Sequence, residues 1–150
     1  MPKQNPWPRH DDRSMRLFYG EPGTGIISLT VEGLGVEYMG KSVRTISCHE
    51  KIADSLHRIL TAISQGPHAS ILKTYAGCYN KRTMRGGTRY SKHAWGSAID
   101  LDAARNGNLT HWPTKATMPI EVMAEFAKEG WTSAGAFWGR DAMHHEAVRP

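Results

Sequence analysis

The chain has 150 residues, a formal net charge of +5 and an apolar fraction of 39%. That length suits one domain with its own hydrophobic core, and the apolar fraction together with five tryptophans excludes a disordered chain. No apolar run is long enough to span a bilayer, and the first ten residues lack the apolar stretch of a secretory signal.

The expected product is a soluble chain, made and kept in the cytosol unless something releases it. The excess of Lys and Arg has two readings: it aids solubility, or it meets a polyanion such as nucleic acid, an acidic membrane surface or an anionic cell wall. Cys48 and Cys78 are too few for a disulfide scaffold and form no CxxC pair, so two free thiols are expected. Any metal then falls to His and Asp.

Residues 1–13 carry three prolines and mixed charge, and are expected to form a flexible arm ahead of a single domain over 14–150. Ile26–Val31 is rich in β-branched residues and predicts a strand. Val36–Tyr38 and Val43–Ile46 flank Met39-Gly40-Lys41, which predicts a hairpin. Ser47 and Glu50 have the spacing of a capping box, and Ile52, Leu56, Ile59, Leu60 and Ile63 then recur at helical intervals, so a helix is expected from Ser47 to the Gly66-Pro67 stop. Ser70–Tyr75 reads as a strand, and 81–89 as a basic, glycine-containing loop. Pro119 suits the first turn of a second helix, which Gly130 ends. Trp131, Phe137 and Trp138 read as core or cleft walls.

The chemistry concentrates in two places. Ser91-Lys-His93-Ala-Trp-Gly96-Ser-Ala98-Ile-Asp100 sets an imidazole and a carboxylate seven apart among small residues. A hairpin at Gly96-Ser97 would put His93 opposite Asp100. The favoured reading is a loop bearing His93 that runs into a strand ending at Leu101, with Gly96, Ala98 and Asp100 on one face and Ile99 and Leu101 in the core. Asp102 shares the Asp100 face and is a weaker candidate for a ligand or a supporting group. Asp141-Ala-Met-His144-His145-Glu146 is the second place. A helical turn over 141–144 would put Asp141 and His144 on one side, and a strand over 144–146 would turn His144 and Glu146 one way and His145 the other. Imidazole and carboxylate are zinc ligands, and three of them leave a fourth position open. The expected Zn2+ ligands are His93, Asp100 and His144, with a carboxylate of the second cluster acting on water.

At these residues the chain resembles the zinc D-alanyl-D-alanine carboxypeptidase family, which includes the L-alanyl-D-glutamate endopeptidases of phage endolysins. Residues 91–100 match each fixed position of its Ser-x-His-x-x-Gly-x-Ala-x-Asp signature. Residues 141–146 match a second one, an acid, two residues, His, an aromatic and Glu, save that His145 replaces the aromatic. The resemblance implies His93, Asp100 and His144 as zinc ligands and Asp141 as general base, shorter by a methylene than the Glu of many relatives. It also implies a catalytic arginine on the preceding loop, Arg82, with Arg85 as fallback. Glu146 is the alternative base, and His145 competes with His144 as ligand.

The implied function is hydrolysis of a peptide bond in bacterial peptidoglycan. The substrates would be stem peptides, the +5 charge would favour the anionic wall, and the chain would act there as a monomer after release from the cytoplasm. The expected fold is α+β: a mostly antiparallel sheet with packed helices, as in hedgehog and D-Ala-D-Ala peptidase domains, with zinc in a cleft on the sheet. One rival is a catalytically silent zinc-containing binding module of the same fold, against which Asp141 argues. The other is a basic nucleic-acid-binding domain built on Lys73, Lys81, Arg82, Arg85 and Arg89 beside Tyr75, Tyr79 and Tyr90. Its signal is less specific than the two signatures, so no nucleic-acid partner is expected.

Overall fold

In the computed structural model, which describes residues 5–84, 87 and 89–150, helix α1 spans Asp12–Tyr19. Asp11 caps it by accepting from the Ser14 amide. Residues 5–11 ahead of it contain no helix or strand, yet they are tied to the body. Trp7 is buried and donates from Nε1 to the Glu129 carbonyl at 2.7 Å, Asn5 donates to the Gly130 carbonyl, and Pro8 O accepts from the Arg149 amide. Burial of one large aromatic ring and these bonds outweigh the loose character expected of a proline-rich, charged stretch.

The architecture is mixed α+β. Among the described residues its strands pair antiparallel but are divided over three small sheets rather than gathered in one. Strand β1 (Ile26–Thr30) pairs with β4 (Thr45–His49), and the two-residue strands β2 (Glu37–Tyr38) and β3 (Lys41–Ser42) pair across a turn at Met39 and Gly40. Both turn residues have positive φ, which suits a tight hairpin turn. The second arm of the expected hairpin is therefore Lys41–Ser42, and residues 45–49 go to β1 instead.

That pairing also moves the start of the long helix. Ser47 sits opposite Ser28 in the β1–β4 ladder, so it is not free to cap. Helix α2 runs Glu50–Ser64 and is capped by His49, whose Nδ1 accepts from the Lys51 amide. Its apolar face, Ile52, Leu56, Ile59, Leu60 and Ile63, is buried as the spacing requires.

Of residues 70–75, expected as a strand, 70–74 belong to a 3-10 helix over Ala69–Thr74, and only Tyr75 is extended, as the first residue of β5 (Tyr75–Gly77). A short apolar run does not distinguish strand from helix by periodicity, and here Ile71 and Leu72 are buried from a helical turn. Strand β5 then begins the four-stranded sheet, ordered β5, β6 (Ala98–Leu101), β8 (His144–Glu146) and β7 (Thr132–Ser133). Helix α3 (Ile120–Lys128) has Pro119 as its N-cap, one position outside the first turn, and packs against α2. A short helix that the sequence did not announce, α4 (Ala134–Trp138), follows β7. Trp131 is core, whereas Phe137 and Trp138 on α4 are exposed.

Candidate metal centre

Three local devices aim His93. Ser91 accepts the His93 amide on its Oγ at 3.2 Å and caps a 3-10 turn over Lys92–Trp95, which Gly96 ends at φ +67. The Cys78 carbonyl, just beyond β5, then takes His93 Nδ1 at 2.7 Å. With Nδ1–H donated to a carbonyl, the Nε2 lone pair is left to face the cleft. Gly96 is obligatory for a second reason. A Cβ there would lie 2.8 Å from the His49 amide nitrogen and 3.1 Å from the Cys48 carbonyl carbon. Its small size thus serves the close passage of this turn over β4, not space for an ion.

Asp100 and His144 meet through sheet register. Strands β6 and β8 pair with Asp100 opposite His144, Ile99 opposite His145 and Ala98 opposite Glu146. Side chains alternate across a strand, so Asp100, His144, Ala98 and Glu146 share one face. The two oxygens of Asp100 face the two imidazoles, Oδ2 at 3.2 Å from His93 Nε2 and Oδ1 at 3.2 Å from His144 Nδ1. One ligand atom from each of His93, Asp100 and His144 lies within 4.8 Å of the others, a spacing that a single ion can bridge. His144 Nε2 turns to Glu146 Oε1 at 3.1 Å.

The electrostatics favour a cation at this point. Burial would raise the Asp100 carboxyl, but the adjacent imidazoles of His144 and His93 overcome it and hold the group below the usual carboxylate range. Burial likewise works against the Glu146 carboxylate, yet contacts from His10 and His144 bring it down to about 2. The same two carboxylates, acting against burial, push the His144 imidazole well above its ordinary value. Neutral imidazoles would leave two largely buried negative charges uncompensated, a costly arrangement that a divalent ion relieves. The donor set, two imidazole nitrogens and a carboxylate oxygen, suits zinc.

The remaining candidates separate clearly. Asp141 sits in a turn closed by the His144 amide on its carbonyl, with φ +55. Its Oδ1 is buried without a hydrogen-bond partner among the described residues, and burial, only partly offset by His144, raises its carboxyl. Arg82 is exposed and lines the same cleft of about 510 Å³ as His93 and Asp100. Its guanidinium donates to the Thr83 carbonyl at 3.4 Å. Arg85, the fallback, lies outside the described residues. Asp102 is turned away at φ +53 and accepts from Arg105, so it does not join the cluster. His145, the competing ligand, points into the core: it stacks flat on Phe126 at 4.1 Å and pairs with Ser133 Oγ at 2.7 Å. Burial first, then the neighbouring His144, takes its imidazole down to about 3. Its place in the core is that of a flat ring stacked on Phe126.

One contact has no signal in the sequence. His10, from the segment ahead of α1, places Nε2 at 3.4 Å from Glu146 Oε2.

A family model described as D-alanyl-D-alanine carboxypeptidase matches residues 85–147, a stretch that holds His93, Asp100, Asp141 and His144 but covers less than half of the chain. No curated protein and no solved structure matches the chain. The similarity supports a peptidase of that kind.

Proposed function

We propose that the protein is a zinc-dependent peptidase that hydrolyses a peptide bond in bacterial peptidoglycan, in the manner of an endolysin L-alanyl-D-glutamate endopeptidase or a D,D-peptidase. The observation that carries this reading is the convergence of His93, Asp100 and His144 beside a second aspartate, Asp141, whose Oδ1 is buried with no hydrogen-bond partner among the described residues.

His93 through Nε2, Asp100 through its carboxylate and His144 through Nδ1 would hold the ion. When bound, zinc acidifies water and polarises a carbonyl. Asp141 takes the proton of the attacking water on its carboxylate and returns it to the departing amine; a carboxyl raised by burial is better matched to that exchange than an ordinary one. Glu146 keeps the His144 ring in place. Arg82 receives a stem-peptide carboxylate, or the developing oxyanion, at the cleft wall. The +5 charge favours the anionic wall, and the chain acts as a monomer once released from the cytoplasm.

The test is digestion of purified peptidoglycan followed by mass spectrometry of the fragments. Zinc-loaded protein should release new amino termini at one stem-peptide bond. A chelator should stop the release and added zinc restore it. His93→Ala and His144→Ala should lose both zinc and cleavage. Full activity in either variant without metal would refute the proposal, and zinc binding with no fragments would favour the silent binding module.

A further inference from the structure

The carboxylate of Glu146 is 2% exposed and has two oxygens to satisfy. Oε1 meets His144 Nε2 at 3.1 Å. Oε2 has no hydrogen bond of good geometry among the described residues, and the polar atom set against it is His10 Nε2 at 3.4 Å. His10 is half-exposed and rests against the Trp138 ring, with centroids 5.3 Å apart. Its backbone is held by the strand end that carries Glu146: Arg149 donates its amide to the Pro8 carbonyl at 2.7 Å and its Nε to the Trp7 carbonyl at 2.9 Å, and Arg9 bridges Arg149. The result is a continuous polar chain, His10 to Glu146 to His144 to Asp100 to His93.

We infer that His10 is a positioning residue of the metal centre: it completes the buried Glu146 carboxylate, which in turn fixes the ring of His144 with Nδ1 toward the ion. The inference rests on the zinc reading of the cluster above. It makes the segment before α1, remote in sequence from both signatures, a working part of the site. A carboxylate behind a ligand histidine fixes its ring and strengthens it as a donor. A carboxylate with only one of its oxygens satisfied is free to rotate, and the imidazole it holds rotates with it.

The experiment measures the zinc dissociation constant of the 150-residue apo-protein by competition with a chromophoric chelator, for the wild type, His10→Ala and His10→Gln. Loss of a partner behind a metal ligand weakens binding by ~10- to 100-fold, so His10→Ala should weaken zinc binding by about tenfold or more. Gln places an amide nitrogen near the position of Nε2 and should recover most of the affinity. Circular dichroism of the three apo-proteins should show the same fold, so that a change in affinity reads the site and not unfolding. Equal affinity in the wild type and His10→Ala would overturn the inference while leaving the zinc centre intact. Equal losses in the Ala and Gln variants would also overturn it, because the donor would then be irrelevant. A wild type that binds no zinc would remove the zinc reading itself.

Discussion

Asp141 differs from the other acids of the site in what surrounds it. Asp100 sets both its oxygens against histidines and Glu146 sets Oε1 against His144, with His10 at 3.4 Å from its Oε2, whereas Asp141 Oδ1 is buried with no partner among the described residues. A carboxylate already committed to orienting a ligand cannot also shuttle a proton without releasing that ligand. This division is the reason the proposed function gives the base role to Asp141 and the supporting role to Glu146, although both flank His144. Replacing Asp141 by Asn keeps the shape and removes the basicity. The Asp141→Asn variant should bind zinc as the wild type does, with turnover on peptidoglycan reduced by ~10²- to 10⁴-fold, the usual worth of a general base. Zinc titration and fragment release, measured on the same sample, separate the two effects. Undiminished turnover would move the base to Glu146.

Among the elements, the join of β4 to α2 matters most for holding the site in place. His49 ends the strand, caps the helix and donates its own amide to the Gly96 carbonyl at 2.9 Å, so the turn that carries His93 leans on it. Its ring is 2% exposed, with Nδ1 accepting from the Lys51 amide and Nε2 donating to the Tyr19 carbonyl at 2.8 Å. This pair of bonds requires the neutral ring, since a proton on Nδ1 would face an N–H. Burial, only partly opposed by the Tyr19 carbonyl and Glu50, lowers the imidazole below its ordinary 6.5. Lys51 adds to the lowering. Below pH 6.5 the unfolded chain therefore binds a proton that the folded chain refuses. The stabilisation is complete above 6.5 and is lost as the pH falls through the window between that value and the lower folded one. His49→Asn retains a capping acceptor but does not titrate. The difference in unfolding free energy between wild type and His49→Asn should shrink from pH 7 to pH 5, by at most ~1.4 kcal/mol per pH unit, the limit for one proton. Denaturant unfolding at the two pH values measures it, and a difference that does not change with pH would show that His49 has no such linkage.

Across the whole molecule, what the sequence disclosed and what it hid divide by range. The face shared by Asp100 and Ala98, the opposite face of His145 and the turn at Asp141 follow from the two-residue period and local spacing, so they were readable. The α2 core face was readable for the same reason. The shift of the cap from Ser47 to His49, the division of the strands into three sheets and the reach of His10 to Glu146 depend on partners far along the chain, which no local pattern encodes. The site is built the same way. Its proposed ligands come from two stretches more than forty residues apart, and its cleft wall includes Tyr38 and Ser47 from the first third of the chain. A ligand that touches all of this only in the folded state must stabilise the whole fold. At 100 times its dissociation constant, such an ion adds ~2.7 kcal/mol, and a chain of this size gains roughly 2–4 °C per kcal/mol. Thermal unfolding with excess zinc should therefore run about 5–11 °C above the midpoint found in chelator. His93→Ala should abolish the shift, because it removes a proposed ligand that lies outside β6 and β8. If the midpoint is the same with zinc and with chelator, no ion bridges the two stretches, and the cluster is an ordinary buried network of histidines and carboxylates.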